Sequence, residues 1–368
     1  MVKYGVIIAI SLVLIIIVFV SISTIMKNQM DIVTFLQEEE EKSSFVFIEN
    51  GETKVAVRPN EYMPLASTVK IVVALEYAFQ VEEGKINKEE KVELNELERY
   101  YVERLDGGAH EAWLAYIEEQ EIVNDGMVTI RDIVRGMIGF SSNANTEYMM
   151  AKVGVENIEA RLDGLGVQSH SPLFYYVSAM FIPYELKKDK TVKQAKEDIV
   201  KEINKMSDED IARISKVIHQ KITEDDTYIQ NADILSWWDK EFDQLYSKIF
   251  TKSTTYEYAN MMNQINHHQF PPIVQEEVEY ALGMIMDNPE NQKWLQRAGK
   301  KGGSTQFILT DALFAEDKEG NRYELAIFFH NLTPKETERL MKQLNEFELR
   351  LLTEPTYREK VYSDLQNH

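Results

Sequence analysis

Ser67 and Lys70 stand three residues apart in the stretch EYMPLASTVKIVVALEYAF. Residues at that spacing share one face of a helix, so a hydroxyl and an amine would face each other across one turn. Ile71, Val72, Val73, Ala74, Leu75, Tyr77, Ala78 and Phe79 read as a buried helix beginning close to Ser67, with Pro64 stopping the extended segment before it. An unpaired ammonium is costly to bury and sheds its proton instead. A neutral amine there can accept the serine proton, while the helix N-terminus favours negative charge developing at the oxygen. The same pattern also suits a surface lysine on a helix less buried than its composition suggests, since S-x-x-K is short enough to recur by chance.

Two further stretches place polar groups where regular structure is interrupted. MIGFSSNANTEYMM sets Ser141, Ser142 and Asn143 at a break in a helical pattern, and AGKKGGSTQFILTDALFA leads from Lys301, Gly302 and Gly303 into a strand. Each alone reads as a structural turn. The order S-x-x-K, then S-x-N, then K-x-G is a far rarer combination.

With these three segments in that order, the sequence resembles the penicillin-recognising serine hydrolase superfamily, most closely its class A β-lactamase-like branch. The likeness runs over about residues 30 to 353. VEEGKINKEEKVEL is similar to the family's turn after the nucleophile helix, VTIRDIVRGMIGFSSN to the helix leading into its S-D-N element, KKGGSTQFILTDALFA to its K-[ST]-G strand, and VGVENIEARLDGLGV to a helix ending in glycine. The resemblance implies that Ser67 attacks a carbonyl, that Lys70 is its base, and that Ser141 relays a proton to the leaving nitrogen. It implies that Lys301 supplies positive charge and that Asn143 holds an acylamide group. Gly303, Ser304 and Thr305 would line the substrate, with the N–H groups of Ser67 and Ser304 as an oxyanion hole. It implies no cofactor and no metal.

Three departures stand against that pattern. Ser142 replaces the aspartate of S-D-N, removing a charge but keeping a hydrogen-bonding group. Gly302 replaces the Ser or Thr of K-[ST]-G, so a hydroxyl for a substrate carboxylate is missing unless Ser304 or Thr305 substitutes. No glutamate-bearing loop for the deacylating water is recognisable between Asn143 and Lys187; Glu185, in FIPYELKK, is the nearest candidate, out of register.

The elements that must position these residues follow from local patterns. Ile32, Val33, Phe35 and Leu36 give a helix one apolar stripe, and SFVFIENGETKVAVRPN alternates about an Asn50-Gly51 turn, a hairpin signal. Helical patterns dominate from about residue 71 to 290, two strands return around a turn at DKEGN, and a helix from about Thr333 to Leu352 follows. Strands near both ends imply an α+β class A β-lactamase-like fold, an antiparallel sheet built from both chain ends with flanking helices plus an all-helical subdomain. Residues 28–353 are expected to form the catalytic domain and 354–368 a C-terminal tail. Residues 187 to about 250 read as a charged helical insertion beside the site, with Ser207 and Asp210 capping one of its helices and Trp237 and Trp238 as core anchors.

Composition bounds the rest. Of 368 residues, 44% are hydrophobic, ample for a packed core. Residues 5–26 are uncharged between Lys3 and Lys27, long enough to span a bilayer, and are expected to be an uncleaved signal-anchor within residues 1–27. The chain has no cysteine, which excludes disulfides, thiolate metal sites and a lipoprotein anchor. Its net charge is −21, and −23 without the two lysines of residues 1–27, which argues against nucleic acid as partner. His267 and His268 are adjacent, and no pair of histidines has the spacing of a helical zinc site.

The sequence therefore predicts a single-pass, membrane-anchored, extracytoplasmic serine hydrolase or acyltransferase. It would form an acyl-enzyme on an amide, either a β-lactam or a D-alanyl peptide of peptidoglycan type. The other reading is a catalytically degenerate binding or sensor domain that uses the same cleft or the insertion. Intact Ser67, Lys70, Ser141 and Lys301 favour the enzyme; the altered second residues of two motifs favour the binder.

Overall fold

The computed structural model describes residues 30–366. The apolar segment 5–26 lies outside them, and no helix among the described residues is long and apolar enough to cross a membrane. The chain opens with helix α1 (Ile32–Glu38), capped by Asp31, and then the hairpin β1 (Ser43–Glu49) and β2 (Glu52–Val57). Asn50 and Gly51 both take positive φ, 53° and 79°, as a tight two-residue hairpin turn requires. The catalytic-region helices follow: α2 (Lys70–Glu82), α3 (Ala109–Glu119), α4 (Ile130–Gly139) and α5 (Asn143–Val153). Next come α6 (Val192–Ile203), α7 (Asp208–Glu224), α8 (Lys240–Ile249), α9 (Thr255–Asn266) and α10 (Pro272–Leu282). Strands β3 (Leu295–Ser304), β4 (Leu309–Asp317) and β5 (Arg322–Phe329) then lead into α11 (Pro334–Thr353) and α12 (Pro355–Leu365).

The five strands form one antiparallel sheet in the order β2-β1-β5-β4-β3. The pairing of β1 with β5, Phe45 opposite Ile327 and Phe47 opposite Leu325, joins the two ends of the chain. β1, β4 and β5 are covered on both faces and are apolar on both sides along most of their length, whereas β2 leaves one face to solvent. Phe45, Phe47, Leu325, Ile327 and Phe329 face α1, α11 and α12, while Val46, Ile48, Ala326 and Phe328 belong to the core shared with the helical part. The fold class expected from sequence is the one observed.

The end of the chain differs from expectation. Pro355–Leu365 is not a tail: α12 buries Val361, Tyr362 and Leu365 against the sheet, and Glu49 ties it down through Arg358 at 3.0 Å and the Tyr362 hydroxyl at 3.0 Å. Three apolar residues in a short polar segment give too weak a periodicity to predict that docking.

Candidate active site

Ser67 lies in a 3-10 turn, Ala66–Val69, and α2 begins only at Lys70. Ala66 takes φ 45°, a left-handed conformation that a side chain makes costly and that surrounding contacts must hold. They do: Leu65 N–H donates to Thr251 O at 2.9 Å, and Thr310 Oγ1 bridges Leu65 O at 2.8 Å and Thr68 Oγ1 at 2.7 Å. The turn leaves Ser67 half-buried at the floor of a cleft of about 1050 Å³.

Lys70 is 2% exposed. Its Nζ donates to Ser141 O at 2.6 Å, Asn143 Oδ1 at 2.9 Å and Ser141 Oγ at 3.1 Å, and it makes no hydrogen bond to Ser67. Burial, reinforced by the charge of Lys301 and only partly offset by Asp106, holds this amine well below the usual lysine range. Losing one proton would leave a lone pair on a nitrogen one helical turn from the Ser67 hydroxyl.

Ser141 Oγ receives hydrogen bonds from two lysines, Lys70 and Lys301, each at 3.1 Å. Ser141 itself sits at φ 70°, and that backbone kink aims its hydroxyl between them. Lys301 is 4% exposed and also donates to Gly302 O at 2.6 Å; burial is the main cause that brings its pKa down to about 8. A hydroxyl between two amines of lowered basicity can pass a proton either way.

The departures in the sequence acquire physical reasons. Ser142 is the N-cap of α5: its Oγ accepts from Asn145 N–H at 3.1 Å and donates to Asn145 Oδ1 at 3.1 Å. A serine fills that position as an aspartate would. The same oxygen lies 2.8 Å from His110 Nδ1, a ring packed between Tyr101 and Trp113 and kept neutral by burial. Gly302 stands beside Asp311: a Cβ there would come to 3.2 Å from Asp311 Oδ2, so a larger residue would need that carboxylate to shift. Gly303 matters more, since a Cβ on it would meet Ser67 N at 2.5 Å and Thr68 N at 2.9 Å.

Asn143, half-buried, lines the cleft together with Gly303, Ser304 and Thr305. Ser304 is exposed there, whereas Thr305 Oγ1 is engaged, accepting from Phe307 N–H at 3.0 Å and from Ser247 Oγ at 2.9 Å. Of the two hydroxyls considered as substitutes for the one missing at Gly302, only that of Ser304 is free.

Glu185 is not brought to the cleft. It is held by Lys221 of α7 and by the Tyr228 hydroxyl at 2.6 Å, and these bonds outweigh its burial to keep the carboxyl below its ordinary pKa. The segment near it is organised instead by Glu147, which sequence reasoning missed. Glu147 is fully buried and accepts from Val177 N–H at 2.9 Å, Ser178 N–H at 3.2 Å, the Ser178 hydroxyl and His219 Nδ1 at 3.1 Å. It holds the stretch that brings Tyr176 and Met180 to the cleft wall. A glutamate followed by Tyr148, Met149 and Met150 was the available signal.

The insertion does reach the site. Trp237 is buried with its Nε1 donating to Ala232 O at 2.8 Å, but Trp238, expected in the core, lines the cleft with α8 residues. Among the described residues no group of three or more His, Asp or Glu is placed to hold a metal ion.

This fold and site define a β-lactamase-type serine hydrolase, and comparison with known families agrees. The chain belongs to the beta-lactamase enzyme family, whose profile matches residues 27–346. Among solved structures it is similar to a β-lactamase from Chitinophaga pinensis at 12% identity, covering 84% of this chain and 93% of that one with a TM-score of 0.50. The class A β-lactamase reconstructed for the last common ancestor of Gram-negative bacteria matches at 12% identity, covering 84% and 94%, also with a TM-score of 0.50. PBP-A matches at 12% identity over 86% and 97%, with a TM-score of 0.47. No curated protein matches the chain.

Proposed function

We propose that this protein is a membrane-anchored, extracytoplasmic serine hydrolase or acyltransferase that opens an amide, a β-lactam or a D-alanyl peptide, through an acyl-enzyme on Ser67. The observation that carries the reading is Ser141 Oγ held at 3.1 Å from both Lys70 Nζ and Lys301 Nζ beside the Ser67 turn. Neutral Lys70 takes the Ser67 proton as its oxygen attacks the carbonyl carbon. The N–H groups of Ser67 and Ser304 receive the oxyanion, and Ser141 delivers a proton to the departing nitrogen as the C–N bond breaks. The apolar segment 5–26 would anchor the domain in the bilayer.

Deacylation is the slow step in this reading. Among the described residues no glutamate lines the cleft, and Glu185 is committed elsewhere. An acyl group would therefore persist on Ser67 or pass to another acceptor.

Intact-protein mass spectrometry of the full chain in detergent, after exposure to benzylpenicillin, tests the assignment. The expected result is one stable adduct that Ser67→Ala abolishes and Lys70→Ala slows by orders of magnitude. No adduct on the wild type, or an adduct on Ser67→Ala, would sink it. Fractionation tests the anchor: the protein should resist high-salt and alkaline extraction, and a soluble form starting near residue 24 would show cleavage instead.

A further inference from the structure

Among the described residues four aspartates and no glutamates line the cleft, and three of the four are committed. Asp106 accepts from the backbone N–H groups of Gly108, Ala109 and His110 at 3.0–3.1 Å. Asp239 caps α8 and pairs with Lys196 at 2.6 Å. Asp311 pairs with Lys300 at 2.9 Å. Asp243 makes no hydrogen bond through its carboxyl and no ion pair with any described residue, although burial alone pushes its pKa up. Lys240, one turn earlier and also at the cleft, forms no ion pair with it.

Asp243 is also rigidly placed. One turn after it, Ser247 Oγ donates to Thr305 Oγ1 at 2.9 Å, which fixes α8 against the loop that follows β3. On the adjoining turn the Tyr246 hydroxyl donates to Tyr176 O. The insertion thus presents one free, half-buried carboxylate beyond the Ser304–Thr305 end of the strand that lines the substrate. Half-buried and uncommitted, this carboxylate can meet an arriving cation without first giving up a protein partner. Lys301, which donates to Ser141 Oγ at the cleft floor and holds its proton below about pH 8, disfavours a cation there, whereas this wall offers an uncommitted carboxylate.

We propose that Asp243 is a specificity-determining residue that binds a protonated amine on the acyl side of the substrate, so that the preferred acyl donors carry a primary ammonium reaching past Ser304. This rests on the serine hydrolase reading above. The ammonium stays intact and undergoes no chemistry; it pairs with the carboxylate while Ser67 attacks elsewhere in the molecule.

Benzylpenicillin and ampicillin differ by one α-amino group on the acyl side chain, so they probe this directly with the full chain in detergent, at mildly acidic pH where that amine is protonated. Acylation rates are read by time-resolved intact mass. The expected result is faster acylation by ampicillin, with the ampicillin to benzylpenicillin ratio falling about tenfold in Asp243→Asn, as loss of one charge-assisted hydrogen bond predicts. Asp243→Glu should restore part of the ratio, which a general loss of stability would not do. A ratio unchanged by Asp243→Asn overturns the proposal while leaving the hydrolase reading intact. So does an adduct that lives longer in Asp243→Asn with both drugs at a fixed ratio, because Asp243 would then act on water. If neither drug acylates the wild type, the hydrolase reading itself fails and this inference falls with it.

Discussion

A Cβ on residue 303 would stand 2.5 Å from the backbone nitrogen of Ser67. Only glycine lets β3 pass so close to the Ser67 turn, where the proposed mechanism takes its oxyanion donors. Gly303→Ala should keep a cooperative thermal transition yet slow acylation by about a hundredfold, the usual cost of losing one oxyanion donor. Stopped-flow kinetics with a chromogenic β-lactam measures it. Wild-type rates in that variant would separate the strand contact from catalysis.

The two lysines bracketing Ser141 give opposite limbs of a pH profile. Lys70 must be neutral to act as base, so acylation should rise with pH through its lowered pKa. Lys301 must be charged to attract and polarise the substrate, and it loses its proton at about 8, so acylation should fall above that pH. Lys301→Gln should be slower at every pH and lack the falling limb. A falling limb that survives the substitution would assign it to another group.

Glu185 should be silent in turnover. Its carboxylate is tied to Lys221 and Tyr228 rather than aimed at the cleft. Wild type and Glu185→Gln should both give a burst of about one equivalent followed by very slow release. Sustained turnover in the wild type that Glu185→Gln converts to a trapped adduct would contradict the placement.

Glu147 should matter to stability more than any residue named from sequence. Glu147→Ala strands two backbone N–H groups, the Ser178 hydroxyl and His219 in a site closed to water. Breaking a buried hydrogen-bonded network of this kind costs about 3 kcal/mol or more. Thermal melting would show the loss, and acylation should slow with it because the stretch carrying Tyr176 and Met180 comes loose. A melting temperature within a degree or so of wild type would mean that water replaces the carboxylate.

What could be read in advance was whatever depended on neighbours in the chain. The Asn50-Gly51 turn and the start of α11 near Thr333 are local chemistry and stand where the sequence suggested, whereas the helix expected to begin close to Ser67 begins at Lys70, with Ser67 in the 3-10 turn before it. Lys70 and Ser141 were brought together by family likeness, not by anything local. Glu147 was illegible because its partners lie 30 and more residues away, at Val177, Ser178 and His219. Asp243 was invisible for the opposite reason: what distinguishes it is the lack of a partner, which only the surrounding structure reveals. Ser142 looked like damage to a motif, yet a serine caps a helix as well as an aspartate does, so the loss of charge cost the local fold little.

The pairing of β1 with β5 has a consequence for when the protein becomes reactive. Ser43 to Glu49 pair with β2 on one side within a few residues, but on the other side only with Tyr323 to Phe329, almost the whole length of the chain later. β3 and β4, which frame Ser67, are ordered against that late strand. A ribosome emits the nucleophile long before the strands that arm it, and a sheet closed over so wide a gap forms slowly. On the proposed function, Ser67 therefore stays an ordinary serine throughout synthesis, and would gain its chemistry only when the last part of the polypeptide has arrived.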